Sequence, residues 1–299
     1  MRDSTNLKGV ICATVTPLTP EGVIDAKKLA DHCSQMLDAG CNYISTFGTT
    51  GEGASFSARE KRDALTEMAQ LGADMSRQIP GIMSCTVDDA AVQYRAVSDL
   101  GCRAALIIPP FYSQPTAEGV ADFYAAVIDK AGAPDTEIVL YNFPHFSGVT
   151  FTPDLVRAVA DRCGGRVAGV KDSTGDLEAG LALIKNLPDL SIFTGDDRIL
   201  SKMVAAGGAG LIGGLPNLFV KDCLKLASGT ADQAAEDLAR KRIELVDGNG
   251  GLTVIKALLA ERLKDAAFNR TAPPLCPVPA AVISDIIEAL DGTNELVSG

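Results

Sequence analysis

The chain has 299 residues, 46% hydrophobic and 22% charged, enough for one large α/β domain or two smaller ones. A formal net charge of −11 leaves no basic field for nucleic acid or an anionic membrane, so a soluble cytoplasmic protein is expected. No window approaches the ~18 unbroken apolar residues of a bilayer span, and the start MRDSTNLKGVICATV has none of the layout of a signal peptide.

In chain order, short apolar runs recur: GVICATV (9–15), NYISTFG (42–48), GIMSCT (81–86), RAALIIP (103–109), EIVLYN (137–142), RVAGVK (166–171), SIFTG (191–195) and AGLIGG (209–214). They are apolar or β-branched throughout and bounded by Gly, Pro or Asn, the pattern of parallel strands buried on both faces. Between them lie amphipathic helices with start signals. Asp25 opens DAKKLADHCSQMLDAG, where Leu29, Cys33, Met36 and Leu37 form one stripe and Gly40 closes it. Ser57 and Glu60 make a capping box, and Pro153 takes a first helical position, where its missing N–H costs nothing.

Eight such strands alternating with helices predict a (β/α)₈ TIM barrel over residues 1–225, an α/β fold. A doubly wound sheet is the alternative, but no G-x-G-x-x-G follows the first strand. Beyond residue 215 the pattern is helical only, around 216–228, 231–247, 251–265 and 279–290, with the proline-rich NRTAPPLCPVPA before the last helix. Residues 226–299 are therefore expected to form a helical extension packed on the barrel. The eight cysteines show no C-x-x-C and the chain has two histidines, so a zinc site is not expected. Most of the cysteines read as small buried hydrophobes, in a reducing compartment.

Barrel chemistry belongs at the carboxyl ends of the strands. There the sequence places GTTGE with Thr49 and Thr50, PPFY, YN, KDSTGD and TGDD. Lys171 follows the apolar run RVAGV, where an ammonium is costly unless paired. Two readings are open: a structural ion pair with a carboxylate such as Asp172, or a desolvated amine that attacks carbonyls. The imine of a 2-keto acid is an electron sink. Such chemistry needs a proton-shuttling hydroxyl, which Tyr141 can supply, and donors for a carboxylate, which Thr49 and Thr50 can supply. Asp196 and Asp197 read as helix caps, and Glu52, Asp172 and Asp176 suggest an acidic mouth.

GTTGE, YNFP and GVKDSTG, in that order and spacing, resemble the pyruvate-dependent class I aldolases, the dihydrodipicolinate synthase and N-acetylneuraminate lyase group. The resemblance runs from GVICATVTPLTPEGVID to APPLCPVP, nearly the whole chain. It implies that Lys171 forms the Schiff base and that Tyr141 relays protons. Thr49 would link Tyr141 to Tyr112, which reaches into a neighbouring subunit's site. Thr50 and the amides of its turn, Gly51 included, would hold the keto-acid carboxylate, with Ile212 packed beside it. A homotetramer built as a dimer of dimers is implied, with no metal or organic cofactor.

The departures concern the second substrate. Dihydrodipicolinate synthases in this group read N-x-P-x-R-T-G after the tyrosine, and this chain reads NFPHFSG. Phe146 stands where the arginine grips the carboxylate of aspartate semialdehyde, and a phenyl ring forms no bidentate pair. His145 is a candidate substitute contact or a plain rim residue. Ala58 and Lys61 stand where lysine-inhibited members carry histidines, so lysine feedback is not expected. The sequence therefore favours a lyase acting on pyruvate or a pyruvate-yielding 2-keto acid, such as a 2-keto-3-deoxy sugar acid, with or without an aldehyde partner. Dihydrodipicolinate synthase and a non-catalytic keto-acid-binding barrel are the alternatives.

Overall fold

Eight parallel strands and their intervening helices make up most of a computed structural model that describes residues 7–291. The first half runs β1 (Gly9–Ala13), α1 (Ala26–Asp38), β2 (Tyr43–Ser45), α2 (Ala58–Gln70), β3 (Gly81–Ile82), α3 (Val87–Asp99), β4 (Ala104–Ile107) and α4 (Ala117–Lys130). The second runs β5 (Glu137–Asn142), the one-turn α5 (Pro144–Ser147), α6 (Pro153–Arg162), β6 (Val167–Asp172), α7 (Leu177–Asn186), β7 (Ser191–Thr194), α8 (Leu200–Ala205) and β8 (Gly210–Gly213). Four helices follow: α9 (Pro216–Ala227), α10 (Gln233–Asp247), α11 (Leu252–Leu263) and α12 (Ala280–Asp291).

The strands lie in the order β2-β1-β8-β7-β6-β5-β4-β3. The remaining seam is closed by Ile79 and Gly81, whose N–H groups each donate at 2.7 Å to the carbonyls of Ile44 and Thr46. The expected TIM barrel is thus the fold observed. Side chains alternate with period two along every strand. Ile11, Leu106, Val139, Phe193 and Ile212 fill the interior, while Val10, Cys12, Ile107, Leu140 and Val170 face the helices.

The start signals act as written. Asp25 caps α1 by accepting from the Lys28 N–H, Ser57 and Glu60 form the reciprocal capping box of α2, and Thr152 with Pro153 opens α6. Two strands, β2 and β3, cover less than half of their apolar runs. Phe47 adopts φ 57°, which ends β2 at Ser45. The run GIMSCT yields only Gly81–Ile82, because Thr86 is already the N-cap of α3. The boundary expected after residue 225 falls inside α9, two residues from its end. Six cysteines are buried, whereas Cys85 and Cys276 are exposed. Among the described residues no helix is long and apolar enough to cross a membrane.

Candidate active site

Register brings the central pair together. Tyr141 on β5 is the direct cross-strand partner of Lys171 on β6, which in turn pairs with Phe193 on β7. Both side chains point inward, since they alternate with Leu140 and Val170, which face the helices. Lys171 is 5% exposed, and its Nζ lies 4.3 Å from the centroid of the Tyr141 ring. The Tyr141 hydroxyl lies 3.0 Å from Oγ1 of Thr49. Gly195, after β7, makes room for the lysine stem: a Cβ there would sit 3.2 Å from Cε of Lys171 and 2.0 Å from Oγ of Ser173.

Asp172, the ion-pair partner of the structural reading, is committed elsewhere. Its carboxylate accepts from Nδ2 of Asn142 at 2.8 Å and from Oγ1 of Thr174 at 3.1 Å. Asn142 also receives the Phe151 N–H at 3.0 Å, so Asp172 fastens the loops around the lysine. Burial raises its pKa, with the Thr174 and Asn142 hydrogen bonds opposing.

A cavity of about 670 Å³ opens over Lys171. Thr49, Thr50, Tyr141, Phe143, His145, Phe146, Lys171 and Ile212 all line it. Phe143, His145 and Phe146 form an aromatic rim, with the Phe143 and Phe146 rings 4.7 Å apart and edge-on. Gly51 does not line the cavity; its carbonyl accepts from Oγ1 of Thr16 at 2.7 Å and helps hold the turn. Tyr112 does not line it either. It stands in the loop after β4, 94% exposed.

The acidic mouth is not what the structure builds from those three residues. Glu52 turns away at φ 55° and is buried against Lys256 of α11, Asp172 is buried as described, and Asp176 caps α7 by accepting from the Glu178 and Ala179 N–H groups. The acidic groups lining the cavity come instead from the turn after β7 and from α10: Asp196, Asp197 and Asp247. Asp196 caps the turn by accepting from the Arg198 N–H and also grips the Arg198 guanidinium through Nε and Nη2. Asp197 departs from the capping expectation, being buried and accepting from Sγ of Cys223 at 3.3 Å.

Burial pushes the Asp197 carboxyl from 3.8 up to about 7, with the Cys223 hydrogen bond opposing and the Asp196 charge reinforcing. A folded pKa above the unfolded one means the carboxyl contributes stability below pH 3.8, and this is lost as pH rises through 7. Asp197→Asn keeps an acceptor for the thiol and removes the buried charge. Its expected effect is a gain on the order of 2 kcal/mol at pH 8 that shrinks towards pH 4, read as melting temperature across that range. A pH-independent difference between variant and parent would contradict it.

Arg198, Asp247 and Leu252, on which the sequence gives no signal, reach the cavity from the turn after β7, the end of α10 and the start of α11, respectively. Nothing in their spacing advertises this. Lys256 is different: it sits in the apolar stretch LTVIKALLA, the same signal that singled out Lys171.

Residues 6–278 match the model of the dihydrodipicolinate synthetase family. An uncharacterized DapA-like lyase of Chloroflexus aurantiacus is 35% identical over 216 residues, 72% of each chain. A 4-hydroxy-tetrahydrodipicolinate synthase of Corynebacterium jeikeium is 30% identical over 299 residues, covering 98% of this chain and 97% of the other. The crystal structure of dihydrodipicolinate synthase from Agrobacterium tumefaciens superposes with a TM-score of 0.90 at 28% identity, covering 96% of this chain and 99% of that one. The chain belongs to the dihydrodipicolinate synthetase family and is a lyase of the class I aldolase type.

Proposed function

We propose that this lyase acts on pyruvate or a pyruvate-yielding 2-keto acid, such as a 2-keto-3-deoxy sugar acid, through an imine on Lys171. The observation that carries the reading is the buried Lys171 amine over the Tyr141 ring, with the Tyr141 hydroxyl joined to Thr49 at the floor of one cavity. The Lys171 amine attacks the keto carbon, water leaves, and the imine withdraws electrons from the neighbouring carbon. In the cleavage direction the carbon–carbon bond beyond it breaks, an aldehyde departs, and the enamine takes up a proton. Hydrolysis then frees the amine. Tyr141 moves the protons, with Thr49 linking it to Tyr112 of a neighbouring subunit. Thr50 receives the carboxylate, and Ile212 packs against the keto acid.

The 94% exposure of Tyr112 supports donation across an interface, and the assembly proposed is a homotetramer of two dimers in the cytoplasm. Borohydride trapping with pyruvate, followed by intact mass and peptide mapping, tests the reading. An adduct on Lys171 supports it, and no adduct with any keto acid overturns it.

A condensation of pyruvate with aspartate semialdehyde is the second reading, favoured by the name of the Corynebacterium relative. Against it stands Phe146, half exposed on α5 at the cavity rim with no charge to offer. Phe146→Arg is expected to raise kcat/KM for aspartate semialdehyde by about 10-fold or more, the worth of one charge-assisted hydrogen bond. A wild-type enzyme already efficient with that aldehyde, and unimproved by the arginine, would decide for the second reading.

A further inference from the structure

The turn of residues 47–53 carries Thr49 and Thr50 into the cavity, yet its own shape is not one its residues favour. Phe47 and Glu52 both adopt left-handed backbone, at φ 57° and 55°, a conformation that side chains with a Cβ disfavour. Something outside the turn holds it. On one side Nζ of Lys61, buried on α2, donates to the Gly53 carbonyl at 2.7 Å. On the other, the Glu52 carboxylate takes Lys256 of α11 on Oε1 and the Ala272 N–H on Oε2, the latter at 2.7 Å. Lys256 also donates to the Thr16 carbonyl at 2.7 Å, and the Thr16 hydroxyl donates to the Gly51 carbonyl at 2.7 Å. The charges, the backbone groups and the turn form one closed network.

Both side chains of the Glu52–Lys256 pair are 0% exposed. Such a pair pays heavy desolvation, and well-packed apolar replacements are often no less stable. Stability alone does not account for it. What two opposite charges fix, and an apolar contact does not, is the position of one specific residue. The geometry is suited to that use: Ile255, one residue before Lys256, lines the cavity with Thr50. A Cβ at Gly214 would meet Thr50 Oγ1 at 2.9 Å and Ile255 Cδ1 at 3.0 Å, so α11, β8 and the turn are mutually fitted.

We infer that the buried Glu52–Lys256 pair is a positioning device for the reaction: it ties α11 and the segment at Ala272 to the substrate-binding turn, and so sets Thr49 for proton relay and Thr50 for the keto-acid carboxylate. This rests on the roles proposed for Thr49 and Thr50 above. The pair touches no substrate; it acts through the turn.

The test uses the uncharged, similarly shaped double variant Glu52→Gln/Lys256→Met in the full-length protein, alongside the two single variants and Thr16→Val. The double variant is expected to melt within a few degrees of wild type. Its KM for pyruvate should rise, and its kcat/KM fall, by 10-fold or more, with Lys171 still trapped by borohydride at saturating pyruvate. Each single variant should lose about as much activity as the double, as members of one unit do. Thr16→Val, which breaks only the link to Gly51, should raise KM about 3-fold or more. Wild-type KM and kcat in the folded double variant overturn the inference. Should the double variant not fold, an unchanged KM in Thr16→Val overturns it. If wild type itself gives no Lys171 adduct, the proposed function fails and this inference with it. An adduct formed alike by wild type and all variants at the same low pyruvate concentration sinks the inference alone.

Discussion

Lys171→Ala is expected to fold as the parent does and to lose turnover by a factor on the order of 10⁴ or more, because among the described residues lining the cavity no other side chain carries an amine that can form an imine. The amine does not anchor the barrel. Asp172, its neighbour, spends its hydrogen bonds on Asn142 and Thr174, so removing the lysine leaves no buried carboxylate stranded. The space vacated adjoins a cavity of about 670 Å³, and water can fill it. Circular dichroism and melting temperature check the fold, coupled assays with keto acids check the rate, and borohydride trapping should give no adduct. An alanine variant with parental activity would remove the imine from the mechanism. A variant that fails to fold would instead show the lysine to be structural.

How far the sequence reaches depends on the range over which each feature is determined. The strands and helix caps are local: period two along β5 and β6 needs only six residues each, and the Ser57–Glu60 box needs four. Lys171 stood out because a charge at the end of an apolar run demands a reason. Tyr141 became legible with it, since strands adjacent in a barrel put their ends side by side. The place of Glu52 is not legible locally, because its partner Lys256 lies 204 positions away and a left-handed residue sends its side chain where strand alternation does not predict. Asp197 is illegible for a related reason: of two neighbouring aspartates, Asp196 takes the cap, and the next one lies inward against Cys223. The contribution of α10 and α11 to the cavity wall is purely tertiary. No period or motif encodes which face of an extension lies over a barrel mouth.

Tyr141→Phe is expected to cost on the order of 10²–10⁴ in rate, the range for one positioned acid–base group. The substitution is unusually clean. Tyr141 is buried, and its ring, which packs against Phe143 at 5.7 Å and beneath the Lys171 amine, is retained in full. Only the hydroxyl goes, and with it the 3.0 Å bond to Thr49. The stability cost should be about 1 kcal/mol, the net worth of one hydrogen bond, too small to explain a large loss of rate. If the hydroxyl works as a relay with Thr49, the two losses will not add. Thr49→Val should slow the parent enzyme measurably yet change the Tyr141→Phe enzyme little, since the second link of a broken relay carries nothing. Single-turnover imine formation and steady-state cleavage, measured on all four proteins, separate the steps. Additive losses would mean that Thr49 serves the substrate carboxylate independently, and a fully active Tyr141→Phe would place the proton donor elsewhere in the cavity.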